Sequence, residues 1–133
     1  MLLDLDQLFD YLSGFNSEAC QQIGIETGKK IRHFTVFFRP LGEKHVWENC
    51  AKILISKSDE ELSPYYGALF EWLQDMNWPG AELIYDRLIK VKDPELSYAY
   101  HLSIKIAKQS KDVIWEEILN GFQSDYISGK TYR

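Results

Sequence analysis

The chain has 133 residues, 45% of them hydrophobic and 26% charged, with a formal net charge of −5. That is enough for one ordinary domain burying a core without metals or disulfides, and no stretch approaches the roughly 18 apolar residues a membrane span needs. The first twelve residues carry Asp4, Asp6 and Asp10 and no base, whereas a secretory leader begins with positive charge, so the expected location is the cytoplasm.

Leu3, Leu5, Leu8, Phe9 and Leu12 recur at helical spacing and run into Ser13 and Gly14, which predicts a first helix over about 3–13. Ser17 can cap a second helix, whose apolar positions Ala19, Cys20, Ile23 and Ile25 are few and which Gly24 and Gly28 weaken. From Ile31 to Phe38 the composition turns to β-branched and aromatic residues. It predicts a short extended segment or strand near 31–39, an apolar loop, or an extension of the second helix. Helical periodicity returns after Glu43, with Val46, Trp47, Cys50, Ile53 and Leu54 on one stripe, and Ser58 with Glu61 has the spacing of a capping box around the turn Asp59–Leu62.

Three prolines, Pro64, Pro79 and Pro94, then stand 15 residues apart, each after a residue suited to capping: Ser63, Asn77 and Asp93. Proline is tolerated in a helix's first turn and costly in its interior, so each is read as a start. The predicted helices are 64–75, with Tyr66, Leu69, Phe70 and Leu73 on one face and Tyr65, Ala68 and Trp72 on another; 78–90, capped by Asn77, burying Ala81, Ile84, Tyr85 and Leu88 and exposing Glu82, Asp86, Arg87 and Lys90; 94–108, burying Leu96, Ala99, Tyr100, Ser103, Ile104 and Ala107; and 112–122, burying Ile114, Trp115, Ile118, Leu119 and Phe122. Residues 124–133 read as a frayed polar tail. Short helices at this spacing imply an all-α fold, a stack of antiparallel hairpins forming one domain over 1–133.

The charges are segregated. Residues 1–26 hold five acids and no base, residues 27–57 seven bases and two acids, residues 58–100 nine acids and three bases, and residues 101–133 five bases and four acids. Such blocks are either solvated helix faces or an acidic surface that captures a basic partner by long-range steering. Chemistry is nearly silent. His33, His45 and His101 have no metal-ligand spacing, Cys20 and Cys50 form no CxxC, and no phosphate loop or nucleophile elbow occurs, so no enzyme activity, cofactor or metal is expected. Glu71 with Asp75, and Glu82 with Asp86, stand four apart; on a helix each pair of like charges shares a face, which suits contact with a basic protein better than a metal. The basic block Lys29, Lys30, Arg32, Arg39 and Lys44 is interleaved with Phe34, Phe37 and Phe38, but with acids on either side and a sequence pI near 5.2 direct nucleic-acid binding is not expected.

The stretch Glu71 to Pro79, Glu-Trp-Leu-Gln-Asp-Met-Asn-Trp-Pro, preceded by the Asp-Glu-Glu-Leu turn Asp59 to Leu62, resembles the signature of a small bacterial family of unknown function. The likeness runs from about Val46 to Phe122, which makes 1–41 an N-terminal addition, 42–123 a family-like core and 124–133 a tail. The resemblance implies an all-helical, HEAT-like fold and, for some members, a role as immunity proteins paired with delivered toxins. Together with the acidic blocks it gives the expected function: a cytoplasmic immunity protein that occludes a basic toxin domain, a nuclease, through Asp59, Glu60, Glu61, Tyr65, Glu71, Asp75, Glu82, Asp86 and Tyr98. The alternative is a general helical-repeat interaction or scaffold domain with no toxin partner.

Overall fold

A computed structural model describes residues 3–132. Among them every regular element is helical, and the chain divides between Lys57 and Ser58 into two compact units.

In the first unit, α1 (Leu5–Leu12) opens on a capping box: the Asp4 carboxylate accepts the Gln7 N–H at 2.8 Å and the Gln7 side chain accepts the Asp4 N–H at 3.0 Å. Ser17 caps α2 (Glu18–Lys29) by accepting the Cys20 N–H. Gly24 and Gly28, unhelpful to an isolated helix, are buried where neighbours come closest. A methyl group on Gly24 would stand 3.0 Å from Leu12 Cδ2, and one on Gly28 2.3 Å from Ile53 Cδ1. Tertiary packing therefore decides what propensity alone argues against. α3 (Trp47–Leu54) buries Cys50, Ile53 and Leu54 as its periodicity predicts.

The segment 31–39 is neither strand nor helix extension but a loop holding one 3-10 turn, Phe34–Phe37, which packs on α3 and buries Phe34 and Phe37. β-Propensity needs a partner strand to express itself, and here the rings find a helix instead. Two buried polar groups fasten the unit. Asn49 donates to the Leu12 carbonyl and to Gln21 Oε1, both at 2.8 Å, tying α3 to the end of α1 and to α2. The Lys57 ammonium donates to the Lys29 carbonyl at 2.9 Å, at the C-terminal end of α2 where a cation is favoured, and lies 5.3 Å from the centre of the Phe34 ring.

The second unit opens with α4 (Asp59–Leu62), whose expected capping box is present: Ser58 Oγ accepts the Glu61 N–H and Glu61 accepts the Ser58 N–H. The predicted helix 64–75 is broken into a 3-10 turn Ser63–Tyr65, α5 (Tyr66–Glu71) and a second 3-10 turn Trp72–Gln74. Pro79 does not open the next helix. Trp78, Pro79, Gly80 and Ala81 form a type II turn, with Gly80 at φ 86°, ψ −11° and the Ala81 N–H on the Trp78 carbonyl, so α6 begins at Ala81 and ends at Ile89. Asn77 does not cap it; its N–H is donated to Asp75 Oδ1. The indole of buried Trp72 donates to the Pro79 carbonyl at 3.0 Å and pins the turn.

Pro94 does precede α7 (Glu95–Gln109) directly, and Asp93 accepts the Glu95 N–H there. α8 (Val113–Ser128), capped by Asp112, runs six residues past its expected end and stops at Gly129, φ 74°. Residues after Ser124 are thus largely helical, and Tyr132 donates its N–H to Asp86 at 2.7 Å; Arg133 of the predicted tail lies outside the described residues. Ile114, predicted inside, is 66% exposed; Trp115, Leu119 and Phe122 carry the buried face.

Candidate functional site

All nine residues expected to grip a partner lie in the second unit. Several of them already hold hydrogen bonds within the fold. Asp59 accepts the Arg87 guanidinium at 2.7 Å and the Lys92 N–H at 2.9 Å; Glu61 serves the capping box; Asp75 holds the Asn77 N–H; Asp86 holds the Tyr132 N–H. These four carboxylates build the fold. Glu60, Glu71 and Glu82 are exposed, Tyr65 is half-buried and Tyr98 is 72% exposed.

Glu71 and Asp75 do not share a helical face as predicted, because α5 ends at Glu71 and Asp75 sits in extended backbone beyond the 3-10 turn. Glu82 and Asp86 are both on α6, one turn apart. Arg87, predicted outside, is turned in toward Asp59 with only 14% of its side chain exposed.

Around Asp59 lies a polar knot that no spacing rule announces. Tyr66, buried in α5, donates its hydroxyl both to the Asp59 carbonyl (3.0 Å) and to Asp93 Oδ2 (3.1 Å). The backbone N–H of Lys92, with Arg87, holds the Asp59 carboxyl below its ordinary value of 3.8, and the Glu95 N–H and the Ser63 hydroxyl do the same for Asp93. Burial pushes Tyr66 well up, and the hydrogen bond to Asp93 pushes it the same way, so it stays a protonated donor. One residue type signals such a knot in advance: a tyrosine inside an apolar stripe whose hydroxyl must find an acceptor.

Both carboxyls have folded-state values below their unfolded ones. The stability they contribute is therefore complete above the ordinary carboxylate range and is lost as pH falls through the lowered folded values. The midpoint of denaturant unfolding for the second unit should hold steady from pH 7 to about 5 and drop below about pH 4, and Asp59→Asn should flatten that acid limb. A limb of equal steepness in the variant would remove Asp59 from this role.

Elsewhere the chemistry is closed or shallow. Burial pushes the Cys50 thiol up to about 12, so at neutral pH it stays protonated and inert. His45 lies 2.6 Å from Glu43 through Nε2 and 3.0 Å from Ser13 Oγ through Nδ1, an arrangement that fixes the loop before α3. A groove of about 260 Å³ in the second unit is lined by α7 and α8, chiefly through Leu96, Tyr100, His101, Phe122 and Tyr126. The Tyr100 hydroxyl is already donated to the Leu119 carbonyl at 2.7 Å. Among the described residues no three His, Cys, Asp or Glu side chains gather as a metal site, and no helix is long and apolar enough to cross a membrane.

Fold and surface thus define an all-helical protein in which some acidic residues fasten the fold and others lie at the surface. A protein-family profile described as a domain of unknown function, DUF5071, matches residues 43–130, and the chain belongs to that family. The match takes in α3 of the first unit and α4 to α8 of the second. No curated protein and no solved structure matches the chain.

Proposed function

We propose that the protein is a cytoplasmic immunity protein that binds a cognate bacterial toxin domain, a basic nuclease, and occludes it. The observation that carries this reading is the distribution of charge over the two units. Residues 1–57 contain seven acids and seven bases, residues 58–133 thirteen acids and eight bases, so the whole net charge of −5 falls on the second unit. A field of one sign on one unit speeds the capture of an oppositely charged partner, and carboxylates mimic the phosphates that a nuclease cleft is built to hold. Among the exposed acids of that unit, Glu60, Glu71 and Glu82 are the ones assigned to the contact. The short helices of the second unit serve as a HEAT-like stack presenting them. The likeness of Glu71 to Pro79 to the signature of a family of unknown function, some members of which resemble toxin-immunity proteins, supports the same reading.

The test is to mix the purified chain with the purified toxin domain encoded by the neighbouring gene and follow association by stopped flow across ionic strength. The double reversal Glu60→Lys, Glu82→Lys should slow association about tenfold at low salt and flatten its salt dependence, with the dissociation rate changed less. Both residues lie in first helical turns, where reversal costs about 0.3–1 kcal/mol of stability, small enough to keep the fold. Failure to bind any neighbour-encoded product would leave the general interaction domain as the better description.

A further inference from the structure

α7 has two apolar faces, and its core packing uses one. Leu96, Tyr100, Ser103 and Ala107 are buried; Tyr98, Leu102 and Ile106, spaced by four, form a stripe on the outer side and are 72%, 46% and 42% exposed. Residues three and four apart lie above one another on a helix, so the three make a continuous ridge about two turns long. After the turn Ser110–Asp112, α8 begins with Val113 and Ile114, 62% and 66% exposed, which adds apolar surface just past the ridge's C-terminal end. Scattered exposed apolar residues need no explanation, but a helical ridge continued by two more at the next helix start does.

We propose that this ridge is a self-association surface on which a second copy of the chain packs its own α7 antiparallel, with the two-fold axis passing Leu102. This inference does not depend on the toxin reading. Two features select a second copy. The ridge is symmetric in spacing about Leu102: in the antiparallel arrangement Leu102 meets Leu102, and Tyr98 of each copy meets Ile106 of the other, a large ring against a branched aliphatic. The charges of α7 are also complementary to themselves when reversed. Glu95 stands in its first turn, and Lys105 and Lys108 lie toward its end. Antiparallel packing sets Glu95 of one copy opposite Gln109 and beside the basic last turn of the other, opposes the two helix dipoles, and brings Lys105 to the Tyr98 ring of the second copy. Parallel packing would put like charges together at both ends.

The association is weak. A single-helix ridge on a 15-residue helix about 22 Å long covers less area than a standard interface, and each copy carries net negative charge. Dimer should therefore appear reversibly over roughly 10–100 µM.

Sedimentation equilibrium of the full chain from 1 to 200 µM should show this rise in mass, and Leu102→Asp, at a half-exposed position, should remain folded and monomeric throughout. Register is tested by cross-linking with Cys20 replaced by serine, the buried Cys50 being retained. Leu102→Cys should oxidise to a covalent dimer, since two helices at 8–10 Å place symmetric residues within disulfide reach. Tyr98→Cys alone should link slowly, and a mixture of Tyr98→Cys with Ile106→Cys quickly. A monomer at 200 µM without a Leu102→Cys link overturns the proposal. So does Tyr98→Cys linking to itself as fast as Leu102→Cys, which would mean a parallel pair. Loss of toxin binding by Leu102→Asp in a chain that never dimerises would assign the ridge to a different partner and equally overturn it.

Discussion

Phe122→Ala should remove about 3–5 kcal/mol from the stability of the second unit, the upper range for truncating a buried ring and a large share of what a small domain has. Phe122 lies on the buried face of α8 and stands at the centre of an aromatic cluster. Its ring meets Phe70 edge-on at 5.2 Å, Tyr85 edge-on at 5.3 Å, and stacks with Tyr100 at 6.0 Å and Tyr126 at 5.9 Å. Removal therefore loses contacts to α5, α6 and α7 at once, together with the quadrupole preference of edge-to-face pairs, worth about 0.5–1.5 kcal/mol each. The neighbours cannot easily collapse into the space, because their polar tips are tethered: Tyr85 donates to Asp125 at 2.6 Å, Tyr100 to the Leu119 carbonyl and Tyr126 to the Val91 carbonyl at 2.7 Å. Phe122→Leu, which keeps most of the volume, should lose about 1–2 kcal/mol. Amide exchange in α5, α7 and α8 distinguishes the cases: a uniform loss of protection is expected for alanine, and loss confined to α8 would mean that Phe122 holds one helix and not the cluster.

The cluster also marks the boundary of what sequence reasoning reaches. Periodicity places Ala81, Ile84, Tyr85 and Leu88 on one buried face of α6, and Leu96, Tyr100, Ser103 and Ala107 on one face of α7, because a 3.6-residue period is a local property. The capping pair Ser58 and Glu61 is equally local. Pro79 misleads because two local rules compete at one residue. Proline at a helix start and proline before glycine in a type II turn look alike until Gly80 is seen at φ 86°. The Asp59 knot joins residues 28 and 33 positions apart, so charge counts register Asp59 and Arg87 without showing that they pair, and nothing local shows that the Lys92 backbone N–H joins them. For the same reason part of the acid count is structural: Asp59, Glu61, Asp75 and Asp86 are acids by sequence and fasteners by structure. The ridge on α7 is legible only in part. Tyr98 stands out as an exposed tyrosine, whereas Leu102 and Ile106 look like any apolar residues of a helix until the opposite face proves to be the buried one.

Gly28→Ala should destabilise the first unit even though it raises helix propensity. In an exposed helix the exchange would gain up to about 1 kcal/mol. Here the new methyl carbon would stand 2.3 Å from Ile53 Cδ1 and 3.0 Å from its Cγ1, with the Phe37 ring at 3.4 Å, so Ile53 must leave its place. Ile53 is fully buried in α3 and Phe37 is fully buried beneath the 3-10 turn, and overpacking such a site costs about 1–3 kcal/mol. The net expectation is a loss of about 1–2 kcal/mol, read as a lowered denaturant midpoint with the slope unchanged. A second substitution identifies the cause. Ile53→Val removes Cδ1, the atom in conflict, and by itself costs about 0.5–1.5 kcal/mol. Combined with Gly28→Ala it should cost less than the sum of the two, because the introduced methyl group fills the space that Cδ1 vacates. Strict additivity, or a stability gain for Gly28→Ala alone, would show that α2 and α3 approach less closely than their buried glycine implies.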